Sequence, residues 1–383
     1  MKITDLFFFR RTGVILLSVV SICGVFYLNN KIKVDFLDAK IKNEKQYNYV
    51  NNVFNQKMEE NAETSSISTK MKEYFQLKPT LVQTTKSQSQ FDYLAREKEA
   101  LSHIIFDSVE KDTSVTYTLL IIISSHVNNR NRRDRIRESW GSIFNWVTVE
   151  KYLLVFVVAR TSDAKPMIEI ADEARIRRDI LYLDIFEDFY LLTKKVIVGL
   201  TWAKSNVKFK ALLKGDDDTF VNIDNIIQFI KINDIIDGYF GNTIYKAKVR
   251  KFGRYQVSKK EFKKDIYETY CSGGGFILTN SSVYKMTKLF DLNKIFRIDD
   301  AFVGEIAYQA EIPVRGIKGF YMYNNNCKYQ KDVMVSHPAL IIGCNDFLLK
   351  KSLIDNGKLP RDLTLEKQSC YDEKVVCKIE INK

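Results

Sequence analysis

Proline and glycine are scarce in this chain. Five prolines and 16 glycines among 383 residues exclude collagen-like and proline-rich classes. No glycine falls between Gly24 and Gly141, so the polar stretch between them is not a flexible Gly/Ser tether. Histidine is rarer still, with three residues, and the six cysteines show no zinc-finger spacing. No basic helix runs into heptads either. The formal net charge of +12 therefore comes without a nucleic-acid motif. Its basic pairs, Arg10-Arg11, Arg132-Arg133, Arg177-Arg178 and Lys259-Lys260, are scattered. They read as a solvated lysine-rich surface, compatible with a small anionic substrate and with no nucleic-acid partner. What is present is ordinary globular composition, 45% apolar and 28% charged, at a length that allows two domains or one large domain with appendages.

Thr12 to Leu28 (TGVILLSVVSICGVFYL) carries no charge over 17 residues, the short end of what spans a hydrocarbon core. Arg10 and Arg11 precede it, so the positive-inside rule puts a tail of residues 1–11 in the cytoplasm. No small-x-small cleavage site follows Leu28, which favours an uncleaved signal-anchor over a signal peptide. A span this short suits a thin early-secretory bilayer. The expectation is a single-pass type II membrane protein with its bulk in the lumen. There Cys271, Cys327, Cys344, Cys370 and Cys377 meet an oxidising environment. Five is odd, so at most two internal bridges form, and one thiol stays free or pairs between chains in a homo-oligomer. Asn280-Ser281-Ser282 is an N-glycosylation acceptor under the same assignment.

Residues 29–112 are rich in Lys, Asn, Gln, Ser, Thr and Glu and read as a stem. Within it, Phe91 to Val109 has apolar spacing that predicts an amphipathic helix leading into the folded part. From about 113 the pattern alternates. Tyr117 to Ser125, Tyr152 to Ala159, Ile180 to Leu183 and Lys210 to Lys214 read as buried strands. Asn129 to Trp140, Ala164 to Arg178 and Phe189 to Lys204 read as helices. This predicts a mostly parallel sheet covered by helices on both faces, over 113–345, with a C-terminal extension at 346–383. Ligands of such sheets lie beyond the carboxyl ends of the strands, which brings the segments after Ser125 and after Lys214 to one edge.

The second of those segments is the most informative. Asp216, Asp217 and Asp218 follow a buried strand and precede Thr219-Phe220-Val221-Asn222. Three adjacent carboxylates repel one another, and a hard divalent cation, Mn²⁺ or Mg²⁺, is the usual neutraliser, its other positions going to phosphate oxygens. The bland alternative is a solvated acidic turn ahead of a helix. An aspartate-nucleophile phosphatase also places two aspartates after a strand, but wants Thr or Val where Phe220 stands.

Five stretches carry a family resemblance. Arg132 to Gly141 (RRDRIRESWG) resembles R-x-x-I-R-x-[ST]-W-G of the β1,3-glycosyltransferases of glycosyltransferase family 31. Asp184 to Lys195 resembles that family's D-F-x-D-x-Y-x-N-L-T-x-K block, Lys214 to Asn222 its K-x-D-D-D-x-F-V-N, Tyr270 to Phe276 its Y-C-S-G-x-G-[YF], and Asp299 to Gly304 its E-D-V-Y-x-G. They occur in the family's order between about 115 and 340. The chain departs from the pattern with Asp299 for Glu, Ala301 for Val, Phe302 for Tyr and Leu191 for Asn, which leaves donor and acceptor open.

The resemblance implies a GT-A-type nucleotide-sugar fold. It also implies an inverting transfer of galactose or N-acetylglucosamine from a UDP-sugar, in β1,3 linkage, to an acceptor glycan of a glycoprotein or glycolipid in the Golgi apparatus. UDP leaves with its charge eased by the metal, so one base suffices where a glycosidase needs two carboxyls. By resemblance Asp300 is that base. Asp218 is the expected metal ligand and His337 completes the metal or diphosphate site. Asp216 meets ribose or uracil with Asp217 nearby. Arg133 and Arg137 offer guanidinium forks to phosphate, with a structural ion pair as the alternative. Gly274 and Gly275 let the backbone approach the sugar, or else form a tight turn or bulge. Trp140 reads as core. A non-catalytic relative with the same fold is the rival reading.

Overall fold

The computed structural model describes residues 81–233 and 237–359. The segments read as cytoplasmic tail and signal-anchor, most of the stem, Cys370 and Cys377 lie outside the described residues. Among those described, no helix is long and apolar enough to cross a membrane.

A helix spans Leu81–Ser102 and is followed by β1 (Ile104–Asp107). The helical pattern expected through Val109 therefore stops at Ser102. Ile104, Ile105 and Phe106 are β-branched or aromatic and favour a strand, and Ile104 pairs with Leu183. The central sheet thus takes in residues of the stretch read as stem.

Four parallel strands form the heart of the fold: β2 (Tyr117–Ser125), β3 (Tyr152–Arg160), β4 (Ile180–Phe186) and β5 (Phe209–Asp216). The helices between them are Arg130–Glu138, Ala164–Arg177 and Leu192–Asn206. The near-continuous apolar runs follow from burial on both faces. In β2, Leu120 and Ile122 pack into one core, and Leu119, Ile121 and Ile123 into the other. The first core also holds Val196 and Leu200 of helix Leu192–Asn206, and the second holds Ile136 and Ile170 of the other two helices.

The sheet is mostly parallel, with antiparallel pairings at its first strand and beyond β5. After β6 (Phe220–Val221) and helix Ile223–Asn233 come β7 (Tyr239–Ile244) and β8 (Tyr270–Thr279). Strand β8 pairs antiparallel with both β5 and β7. With β9 (Val314–Gly316) the order is β1-β4-β3-β2-β5-β8-β7-β9. A small second sheet joins β10 (Phe320–Met322), β11 (Val335–His337) and β6. Gly273, Gly274 and Gly275 sit inside β8, so they form neither a turn nor the start of a helix.

The last described helix, Cys344–Asp355, packs Leu348, Leu349 and Leu353 into the second core. The C-terminal stretch is therefore part of the packed body through that helix. Among the described residues a disulfide joins Cys327 to Cys344, and Cys271 is free and buried.

Candidate active site

The site lies at the carboxyl edge of the parallel strands. Chain direction from β2 leads to β3 on one side and β5 on the other, the kind of switch point where open α/β sheets bind ligands. Ser124 of β2 stands in register with Asp216 of β5. One residue on, the Ser125 hydroxyl donates to Asp217 at 2.8 Å. The two segments expected at one edge do meet.

The acidic turn divides its three carboxylates among three tasks. Asp217 is nearly buried and fully engaged. It accepts from Ser125, from Asn129 Nδ2 at 2.9 Å and from Arg132 Nη1 at 2.8 Å, so it braces the turn. Asp216 accepts from Lys214 Nζ at 2.9 Å. Burial pushes its pKa up while Lys214 pulls it down, and burial wins. Asp218 lies 3.2 Å from His337 Nε2 and 3.9 Å from Arg132 Nη1. Burial would raise its pKa, but His337 and Arg132 hold it below the usual carboxylate range.

Asp216, Asp218 and His337 each present a ligand atom, all within 4.8 Å of one another. Two carboxylates and an imidazole suit Mn²⁺ well. Their side chains keep 31%, 20% and 27% of their exposure, so they face neither bulk water nor a sealed core. Neither of the two cavities described, of about 290 and 560 Å³, is lined by these residues. The donor set fits a divalent ion at the open edge of the sheet.

The glycine strand forms the floor. Gly274 backs onto His337, and its carbonyl accepts from the buried Thr219 hydroxyl at 2.8 Å. A side chain on Gly275 would run into Val335 at 2.7 Å. These glycines are required by close packing of β8 against the turn and β11, a role served by the missing Cβ alone.

Asp300 sits in the first turn of helix Asp299–Gln309, ahead of β9. Its carboxylate accepts from the Gly273 amide at 3.0 Å and the Ala301 amide at 2.8 Å. Burial, then the neighbouring Asp299, push its pKa up to about 7 against those two hydrogen bonds and Lys214. A carboxylate tuned there can accept a proton near neutrality. Lys214 stands between the two halves of the site. Its buried ammonium reaches Asp216, the Gly273 carbonyl at 2.9 Å and Asp299 at 3.3 Å. Burial alone would lower its pKa, but Asp216 and Asp299 raise it, so it stays charged.

The two arginines expected at phosphate are placed elsewhere. Arg133 is fully buried and spends its guanidinium on Glu173 at 2.8 and 2.7 Å, on Ser125 and on the carbonyls of His126 and Val127. Arg137 forks onto Asp179 at 2.7 and 2.8 Å and also reaches Asp134. Both are engaged in structural ion pairs, Arg133 with every donor of its guanidinium. Of the three arginines, Arg132 is the one that reaches the acidic turn. Trp140 is core, with no exposure.

Sequence reasoning also passed over Lys195, which closes the block at 184–195. Its buried ammonium donates to the Ser125 carbonyl at 2.7 Å and to Glu187 at 3.0 Å, fixing the end of β2 from behind.

Residues 131–318 match the family model described as Galactosyltransferase. N-acetyllactosaminide beta-1,3-N-acetylglucosaminyltransferase 4 of Homo sapiens is 30% identical over 196 residues, 49% of this chain and 50% of that one. UDP-GlcNAc:betaGal beta-1,3-N-acetylglucosaminyltransferase 7 of Rattus norvegicus is 28% identical over 214 residues, 53% of each. Beta-1,3-galactosyltransferase 5 of Gorilla gorilla gorilla is 26% identical over 192 residues, 49% of this chain and 64% of that one. The chain spans about half the length of the first of these relatives. Among solved structures, apo mouse xyloside xylosyltransferase 1 overlaps at a TM-score of 0.30 and 12% identity, over 58% of this chain and 97% of that one, too slight a likeness to carry an argument. The matched span takes in the acidic turn, the glycine strand and Asp300, and its similarity to the Galactosyltransferase family model and to β1,3-glycosyltransferases agrees with the glycosyltransferase family 31 that its motifs resemble.

Proposed function

We propose that this protein is an inverting β1,3-glycosyltransferase of GT-A type, moving galactose or N-acetylglucosamine from a UDP-sugar to an acceptor glycan of a glycoprotein or glycolipid. The observation that carries the reading is the separation of labour across Lys214. Lys214 bonds Asp216 of the metal-competent cluster of Asp216, Asp218 and His337, and also bonds Asp299 and the carbonyl of Gly273, whose amide holds Asp300, a carboxylate poised near neutrality.

Asp216, Asp218 and His337 would hold Mn²⁺ or Mg²⁺, which supplies Lewis-acid stabilisation of the departing diphosphate. The chain's own residues do the rest. Asp217, braced by Ser125, Asn129 and Arg132, holds the turn in shape. Asp300, oriented by the amides of Gly273 and Ala301, takes the proton of the acceptor hydroxyl. That oxygen forms its bond to the anomeric carbon as the bond from that carbon to the phosphate oxygen breaks. The sugar inverts and UDP carries away the electron pair. No acid is required on the leaving side, unlike a glycosidase.

The same proposal places the catalytic body in the Golgi lumen behind a single-pass type II anchor at 12–28. The uncharged run after Arg10-Arg11 and the Cys327–Cys344 bridge support it, since such bridges persist in oxidising compartments.

The test is a donor screen with each UDP-sugar and Mn²⁺, reading UDP release with and without acceptor sugars. Asp218→Ala should abolish metal-dependent donor binding, and Asp300→Ala should spare donor binding while stopping transfer. Full turnover in Asp300→Ala would remove Asp300 as the base.

A further inference from the structure

The segment between β7 and β8 holds a concentration of charge that the reaction leaves unused. Residues 245–269 contain nine basic and three acidic side chains, half of the chain's net +12. All nine basic residues are exposed. The segment is nonetheless built. Val257, Phe262 and Tyr267 are buried, Phe262 packs at 4.7 Å from Phe296, and the Val249 amide donates to the Asp265 carbonyl while the Tyr267 amide donates to that of Ala247.

The three acids are already committed. Glu261 takes Arg297, Asp265 takes Lys259, and Glu268 takes Lys264. Lys246, Lys248, Arg250, Lys251, Arg254, Lys260 and Lys263 are left with no ion-pair partner among the described residues. Two of these guanidiniums lie over rings: Arg250 over Tyr255 at 5.5 Å and Arg254 over Phe189 at 4.3 Å. Tyr255 in turn meets Phe189 edge-on at 5.6 Å. A cavity of about 290 Å³ opens in the segment, lined by Lys251, Gln256, Ser258, Lys259 and Asp265 among others.

The position of this surface decides its partner. The segment runs directly into Tyr270 and Gly273, and Gly273 holds the base Asp300. The Tyr270 hydroxyl feels the charges of both Asp300 and Arg250. The cationic surface therefore adjoins the strand that orients Asp300, the side of the site to which the glycosyltransferase reading assigns the acceptor. Exposed cations over a low-dielectric wall focus field and raise the local concentration of an anionic substrate.

Resting on the glycosyltransferase reading, we propose that residues 245–269 form an acceptor subsite for glycans bearing sulfate or carboxylate groups. Arg250, Lys251 and Arg254 are its nearest anion contacts. The exposed Phe252 and Tyr255 add apolar faces against which a sugar ring stacks.

The experiment compares three acceptors of one length with one donor: neutral N-acetyllactosamine, its sulfate ester and a glucuronate-terminated disaccharide. The wild type should favour the charged acceptors in kcat/KM by at least about tenfold at low salt, the lower range of electrostatic steering. The preference should fade toward 1 M salt, where the Debye length shrinks to about 3 Å. The sulfate and glucuronate arms show which anion is read. Arg250→Ser/Lys251→Ser/Arg254→Ser should collapse the ratio through KM, and Arg250→Lys/Arg254→Lys should restore most of it. Equal kcat/KM for all three acceptors in the wild type, or an undiminished ratio in the triple variant, overturns the subsite. Triple-variant-sensitive binding to phosphatidylserine vesicles with no acceptor discrimination also overturns it, in favour of a membrane surface. If no acceptor is used at all, the glycosyltransferase reading fails, and calorimetric titration of the same saccharides without donor tests the anion site by itself. Binding there upholds the surface, and its absence removes it.

Discussion

Gly274 and His337 are fitted to each other: a Cβ on Gly274 would lie 2.5 Å from the imidazole Cγ and 2.8 Å from Nδ1. One of the two must move if a methyl group is added, and β8 is held on both sides by neighbouring strands. Gly274→Ala should therefore displace the ring and weaken Mn²⁺ affinity by about 10- to 100-fold, the range seen when the support of a ligand is lost. Gly273→Ala, whose Cβ would meet Asp300 at an ordinary 3.4 Å, should leave Mn²⁺ affinity unchanged. Metal titration of UDP-sugar binding separates the two variants.

Asp300 should give the reaction an acid limb. Its pKa is raised to about 7, and only the ionised form accepts a proton, so kcat/KM should fall tenfold per pH unit below about 7. Asp300→Asn should lower transfer by about 10²- to 10⁴-fold, the usual contribution of a positioned base.

The same carboxyl should cost stability at high pH. A pKa raised on folding means that its favourable contribution is complete below the unfolded value of about 4 and is lost as pH rises through about 7. Asp300→Asn should thus melt higher than wild type at pH 8 and lose that advantage toward pH 5. Thermal melts across pH read this directly, and an unchanged difference would place the charge in better-solvated surroundings.

Glu173 should act on the fold and not on the donor. It is buried against Arg133 and Arg137, and burial's upward pull on its pKa is outweighed by the two guanidiniums. Glu173→Leu leaves Arg133 buried without its counter-charge, which costs about 3–5 kcal/mol. Denaturant melts should show the loss. The donor KM of the folded fraction should not change, and an increase would return Arg133 to the phosphate site.

The Cys327–Cys344 bridge encloses His337 in its 17-residue separation. Cys327→Ser should destabilise by about 3 kcal/mol on the chain-entropy account, and reductant should do the same to wild type. Melting curves with and without dithiothreitol give the comparison.

The acidic turn was legible because a buried apolar strand ending in three carboxylates leaves few solvated alternatives. Its meeting with Ser125 was legible from the alternation of strands and helices. The choice among Arg132, Arg133 and Arg137 was not. Successive helical residues turn by about 100°, and which of two neighbours faces the core depends on Glu173, 40 residues away. The antiparallel β8 and β7 were hidden for a related reason. The glycines of β8 weaken the strand pattern, and their purpose is set by Val335 and His337, which arrive from a distant part of the chain. Lys214 and Lys195 stood within the motif blocks, but a lysine reads as surface until its carboxylate and carbonyl partners are in place.

The insertion of β8 beside β5 also bears on how the protein assembles itself. Lys214 pairs with Phe276, so about sixty residues must be looped before the acidic turn meets its glycine floor, and His337 joins from further still. Closures of that span are entropically late events. On refolding, helical ellipticity should return ahead of nucleotide-sugar turnover, which makes turnover a reporter of the last contacts to form.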